Sequence, residues 1–161
     1  MKNSENELTT PRFTAFIDAV TDLLEQHPED ETTLLTALTP LLKELLTQHD
    51  WLPPRYLVPD ANQYRQYLLY CDPQQRFSVV SFVWGPGQQT PIHDHCTWGL
   101  LGVYQGMEQC EEFELTRHGS LLAGTTHQLN SGEIDRVSPQ LGDIHRVSNA
   151  LPDQTSVSIH L

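Results

Sequence analysis

Two histidines one residue apart, His93 and His95, are the strongest chemical signal in the sequence. If this segment is a β-strand, residues two apart point to the same face, so both imidazoles can reach one point while Asp94 faces away. Imidazole nitrogens bind iron, zinc, copper and nickel. The pair therefore predicts part of a metal site, and ordinary surface or core histidines are the alternative interpretation.

A third ligand must come from elsewhere in the chain, because catalytic metal sites commonly use three protein ligands. His145 is the best candidate, since Gly142 supplies a turn before it and a short strand-like run follows. His160 lies in a run with period-two polarity, where it shares one strand face with Ser158. The remaining histidines lie in polar, turn-like or helical contexts and are interpreted as solvated side chains: His27, His49, His118 and His127.

The elements that must position these residues begin with a helical part. Apolar residues recur at three- and four-residue spacing over residues 10–46, with Thr10 as the N-cap and Pro11 at the first helical position. Pro40 lies inside the second helical stretch and is predicted to split or kink it. A proline-rich loop over residues 51–60 ends this part of the chain.

Beyond residue 60 the periodicity changes to that of short β-strands. Runs rich in valine, phenylalanine and tyrosine are separated by glycine, proline, asparagine and aspartate, a pattern typical of an antiparallel sandwich or barrel. The predicted strands are Phe77–Trp84, Gly99–Tyr104, Glu112–Thr116, Val137, His145–Val147 and Ser156–Leu161. The sequence therefore predicts a helical cap over residues 1–60, packed on a β domain over residues 61–161 within one unit.

The composition excludes several classes of partner. The chain of 161 residues has 9 basic and 21 acidic residues, a net charge of −12 with histidine neutral, so nucleic acid and anionic membranes would be repelled. No apolar run reaches the roughly 18 residues of a membrane span, and the start lacks a signal-peptide pattern. We therefore expect a cytoplasmic protein, a monomer or a weak dimer, with Cys71, Cys96 and Cys110 as small buried residues rather than disulfide partners.

Two glycine-histidine patterns resemble the paired motifs of the cupin family. The first runs from Gly87 through His93 and His95 to Gly106, and the second contains Gly142, His145 and Asn149. The resemblance implies a mainly β fold, a cupin double-stranded β-helix (jelly-roll) barrel that holds one metal ion, with the helical cap before it.

A narrower resemblance is to the cysteine dioxygenase family of thiol dioxygenases, from about Tyr64 onward. The segments that carry it are Phe82–Gly87, Pro91–His95, His145–Asn149 and Ser158–His160. The resemblance implies that His93, His95 and His145 bind Fe(2+). It also implies that a small thiol is oxidised by O2 to a sulfinic acid, with a small thiol carboxylate and O2 as the partners.

The same family has a serine-histidine-tyrosine relay beside the iron. Ser158 and His160 match its first two members and are the catalytic residues that the resemblance implies. The tyrosine would follow Leu161, where the sequence ends, so we expect a barrel truncated at its C-terminus. Gly99 stands where animal members have a cysteine cross-linked to that tyrosine, so no cross-link is expected.

Tyr64 and Gln66 are the substrate-binding residues that the resemblance implies. Animal cysteine dioxygenases have an arginine two residues after a tyrosine, and this sequence has Gln66 there. Glutamine at that position resembles the bacterial 3-mercaptopropionate dioxygenase subgroup, which predicts 3-mercaptopropionate rather than L-cysteine as the substrate. Arg65 is interpreted as a surface residue.

Three alternatives stay open at this stage. An L-cysteine dioxygenase proper would use the same site with a different thiol. A cupin isomerase or hydrolase with zinc or manganese would share the histidines and need no O2. A metal-binding module would have the metal site without catalysis.

Overall fold

The computed structural model describes residues 8–26 and 30–161. Helix α1 (Pro11–Gln26) begins at the predicted proline, and the Thr10 hydroxyl donates a hydrogen bond to the carbonyl of Trp51 (3.0 Å), which ties the start of the helix to the loop that follows the helices. The buried face of α1 has the predicted helical spacing and consists of Phe13, Phe16, Ile17 and Val20. None of the helices in the described part of the chain is long and apolar enough to cross a membrane.

Pro40 does not split the second helical stretch. Helix α2 (Glu31–Leu46) is continuous and contains Pro40 in its interior, where proline typically costs about 3 kcal/mol. Leucines on both sides of it are buried in the same core, and each fully buried leucine contributes about 1.5–3 kcal/mol. These leucines are Leu34, Leu35, Leu38, Leu42, Leu45 and Leu46. Their combined burial offsets the cost of the proline.

Eight antiparallel strands follow a short 3-10 helix (Pro54–Leu57) and form two sheets. The strands are β1 (Arg65–Cys71), β2 (Ser78–Trp84), β3 (Gly99–Gln105), β4 (Met107–Leu115), β5 (Leu121–Asn130), β6 (Ile134–Val137), β7 (His145–Asn149) and β8 (Ser156–His160). One sheet has the order β1-β2-β8-β3-β6 and the other the order β5-β4-β7. Most of the predicted strand segments are present in the structure. The sequence pattern did not predict β1 and β5, and β4 begins earlier than predicted.

The five-stranded sheet separates two apolar clusters. On its outer face, helices α1 and α2 pack against residues such as Val79 and Ile159. On its inner face, it packs against the three-stranded sheet through Trp84, Leu101, Cys110, Val137 and Val147. The period-two alternation of each strand therefore decides which side chains face the helices and which face the space between the sheets. The division at residue 60 into a cap and a barrel stays a prediction.

Close contact between α2 and the sheet depends on a glycine of β3. A Cβ atom at Gly102 would lie 2.4 Å from the Cδ1 atom of Leu46, closer than carbon atoms can approach without a shift. The absence of a side chain at this position lets the helix lie directly on the strand.

Candidate metal centre

His93 and His95 do not lie on a regular strand, contrary to the expectation from their spacing. They lie in the loop between β2 and β3. His93 instead forms an isolated antiparallel bridge with His145, the first residue of β7. The two residues exchange backbone N–H to carbonyl hydrogen bonds of 3.0 and 2.9 Å. Cross-strand pairing, rather than alternation along one strand, therefore places the third imidazole beside the first two.

The three imidazoles converge on one point. Their ring centroids are 4.9 Å apart for His93 and His95, 4.7 Å for His93 and His145, and 4.8 Å for His95 and His145. Each ring offers one nitrogen, and these nitrogens all lie within 4.8 Å of one another. His145 is buried, while the other two are half-buried. A single ion in the middle could contact all three rings.

The Nδ1 atom of each ring lies close to a protein group. Such contacts fix the ring orientation and favour the Nδ1–H tautomer, which leaves Nε2 as the atom that could bind a metal ion. The contacts are His93 with the carbonyl of Pro91 (3.0 Å), His95 with the carbonyl of Asp143 (3.2 Å) and His145 with the Sγ atom of Cys110 (3.4 Å).

The Nε2 atom of His145 is buried and has no hydrogen-bond partner among the described residues. Burying a polar nitrogen without a partner typically costs about 1–3 kcal/mol. A metal ion among the three rings would satisfy this atom. The donor set and the orphaned nitrogen therefore both fit a metal site.

The imidazoles of His145 and His95 are shifted toward the neutral form that binds metal ions. Burial, reinforced by the neighbouring histidines, lowers the pKa of His145 to about 3. Burial and His93 also lower the pKa of His95. The Asp143 carboxylate accepts backbone N–H hydrogen bonds from His95 (3.1 Å) and Cys96 (3.0 Å), which fixes the loop that presents His95.

The three histidines open into a cavity of about 300 Å³ that other predicted site residues also line. Tyr64 and Gln66 line it and Arg65 does not, as expected for alternating residues of an extended segment. The Arg65 guanidinium instead contacts Asp60 (3.0 Å) and the hydroxyl of Tyr67 (3.0 Å). The complete lining is Tyr64, Gln66, Phe82, Trp84, Thr90, Pro91, His93, His95, His145, Val147 and His160.

Ser158 and His160 lie on β8, with His160 at the cavity wall. The Oγ atom of Ser158 lies 3.0 Å from Nε2 of His160, and the indole N–H of Trp84 donates to the same oxygen (3.3 Å). The ring of His160 stacks on Phe82 with a centroid distance of 4.0 Å. Burial lowers the pKa of His160 to about 3. The imidazole is thus held in one orientation by a hydrogen bond and a ring contact.

Sequence reasoning missed Glu108, a buried carboxyl group on β4. It is only 2% exposed and accepts a hydrogen bond from Ser156 (3.1 Å), and Ser158 and Trp84 are further hydrogen-bond neighbours. Burial raises its pKa to about 8. Glu108 belongs to a polar run that is typical of a surface strand. The period-two alternation of β4, which turns Glu108 and Cys110 inward, is the signal that could have identified it.

Several predictions about cysteines and histidines need correction. Cys110 is buried as predicted, but Cys71 and Cys96 are exposed. Cys96 lies in a turn with φ of 55°, so strand alternation does not apply to it. His127, interpreted as solvated, is half-buried on β5 with its Nε2 atom 2.6 Å from a carboxylate oxygen of Asp135. His27 lies outside the described residues.

Comparison with solved structures confirms the predicted fold. A protein from Klebsiella pneumoniae with a double-stranded β-helix domain is 17% identical, with a TM-score of 0.54, over 70% of this chain and 88% of its own. A cupin superfamily protein from Desulfitobacterium hafniense is 13% identical, with a TM-score of 0.51, over 70% of this chain and 90% of its own. Both similarities concern the fold alone, and they support the mainly β cupin barrel.

A family model described as cysteine dioxygenase type I matches residues 14–161. The match includes most of helix α1, all of helix α2, all eight strands and the three converging histidines. Because it spans nearly the whole sequence, this chain belongs to the cysteine dioxygenase type I family.

Proposed function

We propose that this protein is an iron(II)-dependent thiol dioxygenase that acts on a small thiol carboxylate. The reaction adds both atoms of O2 to the sulfur, so that R–SH and O2 give the sulfinic acid R–SO2H. The observation that carries the proposal is the convergence of three imidazoles, His93, His95 and His145, with the Nε2 atom of His145 buried and without a partner among the described residues, in a chain of this family.

The donor set supports iron as the metal. Three uncharged ligands leave the full charge of a divalent ion to favour deprotonation of an incoming thiol. Ferrous iron would also supply the redox chemistry that the reaction with O2 requires, which zinc cannot do. Neutral imidazoles bind both metals, so the ligand set by itself permits either one.

His160 and Ser158 are the proposed catalytic pair. The contact with Ser158 occupies Nε2 of His160, and His160 lines the cavity, so we assign Nδ1 as the nitrogen that contacts a bound substrate. Stacking on Phe82 holds the ring in place, so little ordering is required when the substrate binds. We assign this pair the role of orienting the thiol and O2 beside the three ligand histidines.

Tyr64 and Gln66 are the proposed substrate-binding residues. The ring of Tyr64 packs against the ring of Trp84 with a centroid distance of 4.7 Å, and this contact holds Tyr64 in place at the cavity wall. Gln66 can donate amide hydrogens to a carboxylate. Within the described part of the chain, no arginine or lysine lines this cavity. Glutamine rather than arginine at this position resembles the bacterial 3-mercaptopropionate dioxygenase subgroup, and this resemblance supports 3-mercaptopropionate as the preferred thiol and L-cysteine as the weaker one.

The proposal is tested by oxygen consumption and product analysis. The purified protein is loaded with ferrous iron and mixed with 3-mercaptopropionate or L-cysteine, and O2 uptake is compared with sulfinate formed. We expect one sulfinate for each O2 consumed, faster with 3-mercaptopropionate. His145→Ala should lose this activity, while His118→Ala, a change at an exposed turn, should retain it.

Two results would contradict the proposal. One is O2 uptake without sulfinate, and the other is no uptake by protein that contains iron. Turnover of a substrate without O2 would instead support a non-oxidative cupin enzyme, and metal binding with no turnover would support a binding module.

A further inference from the structure

The third histidine differs from the other two in how its ring is held. The Nδ1 atoms of His93 and His95 contact backbone carbonyl groups, which no substitution removes directly. The Nδ1 atom of His145 lies 3.4 Å from the thiol sulfur of Cys110. Both residues are 3% exposed, so water does not compete for this contact.

Cys110 belongs to a chain of polar contacts across the barrel wall. Asp135 on β6 hydrogen-bonds the Cys110 thiol, and an oxygen of the same carboxylate lies 2.6 Å from Nε2 of His127. Cys110 and His127 face each other in the register of β4 and β5. The contacts therefore run from His145 through Cys110 and Asp135 to His127, which is 34% exposed.

This cluster is better explained as a hydrogen-bonded chain than as a second metal site. Cys110, His127 and Asp135 have ligand atoms within 4.8 Å of one another, as a metal site requires. However, these atoms contact each other or His145, and none of them is a buried atom without a partner in the described part of the chain. At the centre of the histidine triad, by contrast, the Nε2 atom of His145 is orphaned.

We propose that Cys110 is the positioning residue for His145. Its sulfur accepts the Nδ1–H hydrogen bond of the imidazole, while its S–H donates to the carboxylate of Asp135. The hydrogen bond selects the tautomer with a free Nε2 and aims that atom at the other two histidines.

The chemical character of this partner matters for the metal. Carboxylates and backbone carbonyls are the usual acceptors for such a ring N–H, and they make the imidazole a stronger donor. A neutral thiol is a weak acceptor and adds no charge. Cys110 thus fixes the ring while leaving the metal electron-poor, which favours binding of an anionic thiolate. This inference rests on the proposed role of His145 as a metal ligand.

Zinc titration of the metal-free protein tests the inference without any dependence on O2 chemistry. Cys110→Val keeps a similar volume and removes the acceptor, and we expect its Kd for zinc to rise about 10-fold or more, as is typical of outer-sphere partners. Cys110→Ser retains a neutral acceptor and should bind zinc more tightly than Cys110→Val. The matched control is Cys71→Val, at an exposed cysteine of β1, which should leave the Kd unchanged.

An unchanged Kd in folded Cys110→Val would overturn the inference. Binding of two zinc ions by the wild type, with one lost in Cys110→Val, would also overturn it in favour of a second metal site. Nitrogen-detected NMR of the zinc-loaded wild type remains decisive if that variant fails to fold. Nδ1 of His145 must carry the proton, and a proton on Nε2 instead would refute the assignment.

The zinc result and the dioxygenase result can fail independently. A shifted Kd without sulfinate formation would retain the role of Cys110 and reject the proposed reaction. Sulfinate formation with an unchanged Kd would support the proposed reaction and reject the role of Cys110.

Discussion

Replacing Glu108 by glutamine should change how the stability of the protein depends on pH. The folded state holds Glu108 protonated up to about pH 8, whereas its usual pKa is 4.5. Between pH 4.5 and about pH 8, Glu108 of the unfolded chain has released a proton that Glu108 of the folded protein still binds. The wild type therefore loses stability as pH rises through this window, and the loss approaches completion as pH reaches the folded pKa. Glu108→Gln has no such group and lacks this contribution.

The magnitude follows from the width of the window. Each pH unit inside it is worth about 1.4 kcal/mol. Between pH 5 and pH 7, the free energy of unfolding of the wild type should fall relative to Glu108→Gln by about 3 kcal/mol. Burial also lowers the pKa values of His145 and His160 to about 3, which raises stability with pH between about 3 and 6.5. That contribution is common to both proteins and cancels in their difference.

The assay is urea unfolding of metal-free protein at pH 5, 6 and 7, in the presence of a chelator so that metal binding does not contribute. Glu114→Gln is the matched control, because it makes the same replacement of a carboxyl group by an amide at an exposed position on the same strand. It should leave the pH dependence of the wild type unchanged. Parallel profiles for wild type and Glu108→Gln would refute the reasoning, because they would mean that Glu108 is ionised in the folded protein at these pH values.

Three further predictions concern the site and the core. His145→Ala should weaken zinc binding measured by calorimetry by at least 100-fold, about 2.7 kcal/mol, because one of three ligands is lost, and an unchanged Kd would exclude His145 as a ligand. Gln66→Arg should lower KM for both 3-mercaptopropionate and L-cysteine, because a guanidinium can bind the carboxylate that they share through two hydrogen bonds; unchanged KM values would remove Gln66 from the substrate site. Gly102→Ala should lower the free energy of unfolding by about 1–3 kcal/mol, since its Cβ would crowd Leu46, with zinc affinity retained. Equal thermal melting of Gly102→Ala and wild type would contradict the close packing of α2 on β3.

Local pattern predicted the elements whose apolar residues all face one side. The buried face of α1 repeats with the helical period, and its start is marked by Pro11. Strand β8 places Val157 and Ile159 against the helices with a serine between them, so its periodicity is visible in the sequence. The exposed strand β5 has no such pattern, because residues 121–126 face solvent and need not be apolar. Its pairing with β4 is what makes it a strand.

Long-range packing decided what local rules left open or predicted wrongly. Pro40 would end an isolated helix, but leucines on both sides of it are anchored in one core, so α2 continues through it. Cys96 was expected to be a small buried residue, yet it is exposed in a loop held by Asp143. In both cases a contact with a distant residue outweighs the local preference.

The sequence by itself determined which atoms are available for chemistry. Residue type makes His93, His95 and His145 possible nitrogen ligands of a metal ion, because this capacity of an imidazole does not depend on the fold. Their spacing and sequence context made them the candidates. Only the tertiary structure decided that His145 pairs with His93, that its Nε2 atom is left without a partner among the described residues, and that Cys110 lies against its other nitrogen. The physical reason is that burial and cross-strand pairing are properties of residues far apart in the chain. They exist only once the two sheets have packed together.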